Sequence, residues 1–179
     1  DVGWVVGHSY IVYAPLLAGL STVLYEGKPV RTPDASAFWR VIEQYKVKAL
    51  FAAPTAFRAI KKEDPDAALI KNHDISSLKG IFLAGERLDP ATYHWLGDNL
   101  KVPVIDHWWQ TETGWAICAS HQGLEAKPTK AGSTTLPSPG YNVCILDDDG
   151  NPLAANQQGN IAIKLPLPPG SFNTIWQNF

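Results

Sequence analysis

Apolar and polar positions run along the chain in two rhythms, one suited to strands and one to helices. Leu20 to Tyr25 is a short run with β-branched Thr22 and Val23, ended by Glu26-Gly27, and predicts a strand. Thr32-Pro33 then offers a helix N-cap with proline at the first helical position, where its missing N–H costs nothing. Phe38, Val41, Ile42 and Tyr45 follow at helical spacing. Lys48 to Ala52 predicts a second strand, stopped by Pro54, and a helix from there to Lys62 puts Ala56, Phe57 and Ile60 on one side. The next unit repeats this logic. Gly80 to Ala84 predicts a strand, Gly85 a turn, and Asp89-Pro90 a cap for a helix carrying Trp95 and Leu96. Val102 to Ile105 predicts the strand after it.

Strands alternating with helices of this length imply an α/β lobe with a parallel sheet, its crossovers right-handed. That lobe is expected to span residues 1–130. Beyond it, Gly132, Pro137, Pro139 and Gly140 form a stiff, turn-rich linker. Tyr141 to Leu146 and Ile161 to Leu165 then predict strands, so residues 131–179 read as a linker and the start of a β-rich lobe. Between those strands, Asp147-Asp148-Asp149-Gly150-Asn151 is expected to be a polar turn. It is not a calcium loop, because Ile145 stands where the pattern requires its first aspartate.

Composition narrows the possible functions. Hydrophobic residues make up 45% and charged residues 18%, enough apolar content for a sizeable core. Net charge is -2, and Lys61, Lys62 and Lys71 sit among acids on a solvated face, so no nucleic-acid footprint is present. No apolar run approaches the ~20 residues of a membrane helix. Cys118 and Cys144 show neither metal spacing nor a disulfide framework, which fits a reducing compartment. A chain that begins Asp1-Val2-Gly3-Trp4, ends Asn178-Phe179 and contains no Met reads as an internal fragment.

In an open parallel sheet, ligands bind beyond the carboxyl ends of the strands. One of these ends delivers Gly85-Glu86, and the other delivers Asp106-His107-Trp108-Trp109-Gln110-Thr111-Glu112-Thr113-Gly114. An indole can stack on a purine, Thr and Gln can bond phosphate oxygens, and a carboxylate such as Glu112 can hold Mg²⁺ together with substrate phosphates. Bland readings stand beside these. Trp108 and Trp109 could be core and rim aromatics, and Glu86 a surface carboxylate ahead of a helix. His8, His73, His94, His107 and His121 lack ligand spacing, and Ser9 lacks a hydrolase elbow and is expected near a helix start. The residues alone give a crevice suited to a nucleotide. They do not give a reaction.

Taken together, the strings resemble the middle of the acyl-CoA synthetase, nonribosomal-peptide adenylation and luciferase superfamily. The resemblance rests on Asp1 through Tyr10, on Ala53-Pro54-Thr55-Ala56-Phe57-Arg58, and on Asp106 through Gly114. Trp-Trp-Gln-Thr-Glu-Thr-Gly is similar to the branch handling short acids, the acetyl- and propionyl-CoA synthetases. Gly140-Tyr141-Asn142-Val143, Leu167-Pro168-Pro169-Gly170 and Thr174-Ile175-Trp176 lean toward the propionyl type.

The resemblance implies part of an adenylate-forming large domain and a two-step reaction using ATP, Mg²⁺ and coenzyme A. A short-chain carboxylate and ATP form an acyl-adenylate, and the CoA thiolate displaces AMP. It implies that Gly85, Glu86 and Arg87 border the adenine and that Asp106, His107 and Trp108 complete that wall. Gln110 and Thr111 would face the α-phosphate, Glu112 would bind Mg²⁺, and Ala53 would lie near the CoA channel. Thr111 and Glu112 are thus the expected catalytic pair. Trp4, Val5, Val6, Ala84 and Trp109 would line the acyl pocket, with Trp109 as its floor. Acetate-specific relatives usually carry Val at the position of Ala84, so the smaller residue points to propionate. The expected location is the cytoplasm, or the mitochondrial matrix in a eukaryote, with no nucleic-acid or membrane partner.

Two departures qualify this picture. Arg87 stands where the family usually has Pro. The upstream phosphate loop, the downstream ribose-binding Asp and the C-terminal-domain Lys of the family have no counterpart in the sequence, so the isolated chain is expected to be inactive. Alternatives at this point are an acetyl-CoA synthetase fragment, a non-catalytic nucleotide- or sugar-binding module, and a hydrolase pairing Glu86 with Glu112.

Overall fold

The computed structural model describes residues 3–125, 127–171, 174 and 177. The chain opens in a helix wound as a π-helix over Gly7–Tyr13 and finished by α1, Ala14–Leu17. Ser9 lies inside this helix, not at its start, because helical turns already begin at Val5. Leu20 to Tyr25 forms no strand, and Leu24 is 82% exposed. A β-branched run becomes a strand only when a neighbouring edge supplies hydrogen bonds, and none of the described strands pairs with it.

The first long helix, α2 (Ala37–Tyr45), begins later than Thr32-Pro33 suggested. The Asp34 carboxylate takes the Ser36 N–H at 2.7 Å and Arg40 donates to the Thr32 carbonyl at 3.0 Å, so these residues form a turn ahead of the helix. Tyr45 faces solvent, and Trp39 takes the core place the spacing had given to it.

Three parallel strands follow, β1 (Ala49–Ala52), β2 (Gly80–Leu83) and β3 (Val104–Asp106), in the order β1-β2-β3. Their register aligns Leu50 with Ile81, Phe51 with Phe82, and Leu83 with Asp106. The crossovers carry α3 (Pro54–Glu63) and α4 (Pro90–Leu100), each started by proline in its first turn. The Asp89 carboxylate caps α4 by accepting the Thr92 N–H at 2.8 Å, as its sequence position predicted.

Strand alternation divides the sheet into two faces. On one, Ile81, Leu83 and Val104 pack with Trp39, Ile42, Phe57, Ile60 and Leu96 of the helices in a single core. On the other, Phe82 and Ile105 pack with Ala116 and Ala119. Phe51 and His107 share this second face by register, and it is the aromatic one.

Beyond the sheet, β4 (Cys118–Ala119) pairs antiparallel with β5 (Leu136–Pro137), so part of the proline-rich stretch returns to the first lobe. The last pair, β6 (Asn142–Leu146) and β7 (Asn160–Lys164), is antiparallel and aligns Asn142 with Lys164. The acidic run between them is a turn. Asp147 accepts from the backbone N–H groups of Asn151 at 2.7 Å and Asp149 at 3.0 Å. Those hydrogen bonds hold its carboxyl below the usual carboxylate range.

Candidate functional site

Parallel pairing brings the carboxyl ends of β1, β2 and β3 to one edge, and each end opens into a loop that carries expected site residues. After β1 comes Ala53, extended at φ -86° and capping α3. After β2 come Ala84 and Gly85, with Gly85 at φ +97°, a conformation that glycine adopts readily and other residues seldom do. After β3 come His107 and Trp108, while Asp106 is the last strand residue.

Asp106 and His107 are both buried. Asp106 lies in register with Leu83, and burial pushes its carboxyl up to about 6, with the Arg87 guanidinium pulling the other way. Arg87 and Asp106 therefore sense one another across the gap between the two loops. His107 lies 2.6 Å through Nδ1 from the Leu83 carbonyl. A carbonyl only accepts, so Nδ1 carries the proton and Nε2 is the bare nitrogen of the neutral ring. Burial lowers the pKa of the ring, with the Leu83 bond opposing, so the neutral form is favoured.

The next loop is closed at its base by backbone bonds. Trp108 donates to the Cys118 carbonyl at 2.9 Å and accepts from Ile117 at 2.8 Å. Thr111–Thr113 forms a single 3-10 turn at its far end, left by Gly114 at φ +72°. Thr113 is buried, and its hydroxyl takes the Gln110 N–H at 3.2 Å and donates to the Gln110 carbonyl at 2.9 Å. Gln110, Thr111 and Glu112 are left exposed on the turn. Among the described residues no group of three or more His, Cys, Asp or Glu is placed to hold a metal. Glu112 is thus a single hard oxygen donor, which suits a cation sharing its sphere with a substrate's phosphates better than a protein cage.

Of the expected acyl-pocket residues, Trp4 lies against Gly85, the neighbour of Ala84, while Trp109 stands among other aromatic rings. A Cβ added to Gly85 would lie 3.4 Å from the Trp4 ring. Val6 and Ala84 are buried, and Val5 is partly so. Trp109 stands in an aromatic cluster, its ring 4.8 Å from His107, 5.6 Å from Tyr10 and 5.8 Å from Phe51. Tyr10 and Phe51 stack at 5.1 Å. Sequence reasoning passed over Tyr10 and Phe51. The strand period could have found Phe51, which alternates with Leu50 and Ala52 away from the helices.

Glu86 departs from a simple wall residue. Its Oε1 accepts the Thr55 N–H at 2.6 Å at the start of α3, and its Oε2 is ion-paired with Arg58. Arg58 also reaches Asp89 at 3.3 Å. The Arg58 and Glu86 side chains are 37% and 33% exposed, so the pair contributes little to stability, about 0–1 kcal/mol. With both oxygens engaged, Glu86 is poorly placed as one half of a hydrolytic carboxylate pair.

Two depressions of about 190 and 280 Å³ lie elsewhere, one beside Leu136 and Pro139, the other beside Val102 and Pro103. Neither is lined by an expected site residue.

The arrangement is an α/β lobe with three loops at the carboxyl edge of a parallel sheet. The family model described as AMP-binding enzyme matches residues 1–170. The chain belongs to that family. It is 56% identical over 179 residues to the mitochondrial acyl-CoA synthetase short-chain family member 3 of Homo sapiens, covering 99% of this chain and 26% of the relative. It is 51% identical over 177 residues to propionate–CoA ligase of Escherichia coli, covering 98% and 28%. The chain thus spans little more than a quarter of the length of these relatives. Among solved structures, a Brucella canis acyl-CoA synthetase superposes with a TM-score of 0.76 at 37% identity, covering 91% of this chain and 28% of that one. The anthranilate CoA ligase AuaEII, in complex with anthranoyl-AMP, gives 0.74 at 26% identity, covering 89% and 29%.

Proposed function

We propose that this chain is the segment of a short-chain acyl-CoA ligase that carries the adenine edge, the magnesium carboxylate and the acyl pocket. The carrying observation is the gathering of Ala84-Gly85, Asp106-His107 and the Trp108–Gly114 loop at one sheet edge. The full-length enzyme joins a short-chain carboxylate to ATP, releasing pyrophosphate, and then exchanges AMP for the CoA thiolate. Gly85, Glu86 and Arg87 border the adenine on the β2 side, and Asp106, His107 and Trp108 on the β3 side. Gln110 and Thr111 meet the α-phosphate with fixed donors, and Glu112 supplies the protein's oxygen to Mg²⁺, which neutralises phosphate charge when bound. Ala53 lies by the CoA channel. Catalysis here is alignment and charge stabilisation of in-line attack at phosphorus.

Trp4, Val5, Val6, Ala84 and Trp109 form the acyl pocket, and Ala84 leaves room for the extra carbon of propionate. Residues 1–130 act as the α/β lobe and 131–179 as the linker and start of a β-rich lobe. The enzyme works in the cytoplasm or the mitochondrial matrix, a reading supported by the mitochondrial relative. Among the described residues no helix is long and apolar enough to cross a membrane.

The test is Ala84→Val in the full-length enzyme, read as the ratio of kcat/KM for propionate to that for acetate. A methylene in such a pocket is worth roughly 1–3 kcal/mol, so the ratio should fall by about tenfold or more. An unchanged ratio, or a wild-type enzyme that prefers acetate, rejects the propionate assignment.

A further inference from the structure

Arg58 pairs with carboxylates at both ends of the turn after β2. Its guanidinium pairs with Glu86 through Nη2 and with Asp89 through Nη1, and these two carboxylates bracket Arg87 and Leu88. Leu88 is fully buried, so the turn is pinned from below as well. The remaining Glu86 oxygen is held by the Thr55 N–H at the start of the ten-residue α3, where the unpaired amides and the helix dipole favour an anion. Asp89 is in turn the cap of α4. One guanidinium therefore ties the starts of two crossover helices to the turn between β2 and α4. Each Glu86 oxygen thus has a protein partner that fixes the carboxylate, and the turn is held in place through it.

We propose that Arg58 is a positioning residue for nucleotide binding, its fork across Glu86 and Asp89 holding the Gly85-Glu86-Arg87 backbone ready before the nucleotide arrives. The proposal rests on the functional reading above and extends it to a residue outside the expected site. A planar fork serves two acceptors at fixed angles, which a lysine ammonium cannot do.

The experiment uses the full-length enzyme and measures KM for ATP, for carboxylate and for CoA, with kcat, in wild type, Arg58→Met, Arg58→Lys, Glu86→Gln and the Arg58→Met/Glu86→Gln double variant. Arg58→Met should raise KM for ATP about tenfold and leave kcat and the other two KM values within twofold, the signature of lost binding without lost chemistry. Arg58→Lys should recover part of the effect, at about a threefold rise, and serves alone where Met impairs folding. In the Glu86→Gln background the added effect of Arg58→Met should drop below threefold, since the two act as a unit. An ATP KM within twofold of wild type in both Arg58 variants overturns the clasp, as does a parallel rise in all three KM values. Wild-type enzyme that shows no saturable dependence on ATP overturns the parent reading instead.

Discussion

Residues 37–106 and residues 12–24 are both rich in large apolar side chains, yet they end in opposite surroundings. Trp39, Ile42, Phe57 and Ile60 are completely buried, whereas Leu17 is 87% and Leu24 82% exposed. The difference lies in connectivity. In the first region each apolar face meets its partner a few tens of residues away, because successive β-α units return to the same sheet. In the second, the helix ending at Leu17 leads into a run with no strand to join. Hydrophobicity announces that a segment is made to be covered, and topology decides what covers it.

The sharpest way to break this comparison is truncation on each side of it. Phe57→Ala should cost about 3–5 kcal/mol of unfolding free energy in a denaturant titration, through lost burial and the cavity left behind. Leu17→Ala should stay within about 0.5 kcal/mol, since that side chain already faces water. Similar losses would mean that the N-terminal stretch is packed in solution.

A second test sharpens the account of the sheet edge. With the Asp106 carboxyl raised to about 6, the folded chain holds that proton more tightly than the unfolded chain does. Its stability cost is absent near pH 4, grows as pH rises to 6, and is complete above that. Asp106→Asn should therefore stabilise the chain at pH 8 by at most about 3 kcal/mol, with the gain fading as pH falls toward 4. Neighbouring His107, whose pKa burial lowers, acts in the opposite sense by losing stability as pH falls. Subtracting the variant's pH curve from that of wild type isolates Asp106. A gain that ignores pH would remove burial as its cause.

A smaller loss than that of Phe57→Ala is expected at the helix starts. Asp89→Ala removes the cap of α4 and should lower stability by about 1 kcal/mol in thermal or denaturant unfolding. The π-helical stretch Gly7–Tyr13 is entered from Val6 without a side-chain cap. A loss of several kcal/mol would show that the Arg58 contact matters more to folding than its exposure implies.

Much of the parallel unit was legible in the sequence because its signals are local. Asp89-Pro90 reports its own cap, Pro54 its own helix start, and the Gly80 to Ala84 run its own strand. The errors fall where a competing local turn or a distant partner decides the outcome. Thr32-Pro33 looked like a helix start, but Asp34 satisfies the Ser36 amide and moves the start to Ala37. Leu20 to Tyr25 had strand composition without an edge to pair with. At the sheet edge, the positions of Gly85 and of His107 through Gly114 just after strand-like runs already put them on loops. The clasp of Glu86 by Arg58 was not legible, because 28 residues separate the two and only the sheet register brings their loops together. Tyr10 escaped for the same reason, meeting Trp109 only once the chain has folded.

The backbone stitch between Trp108 and Cys118 separates the scaffold of a loop from its cargo. Buried Thr113 and the two amide bonds at the base carry the shape, while Thr111 and Glu112 sit at the far end with little to do for folding. Sequence drift can therefore rewrite the exposed end of this loop, residue by residue, without dismantling the frame that presents it.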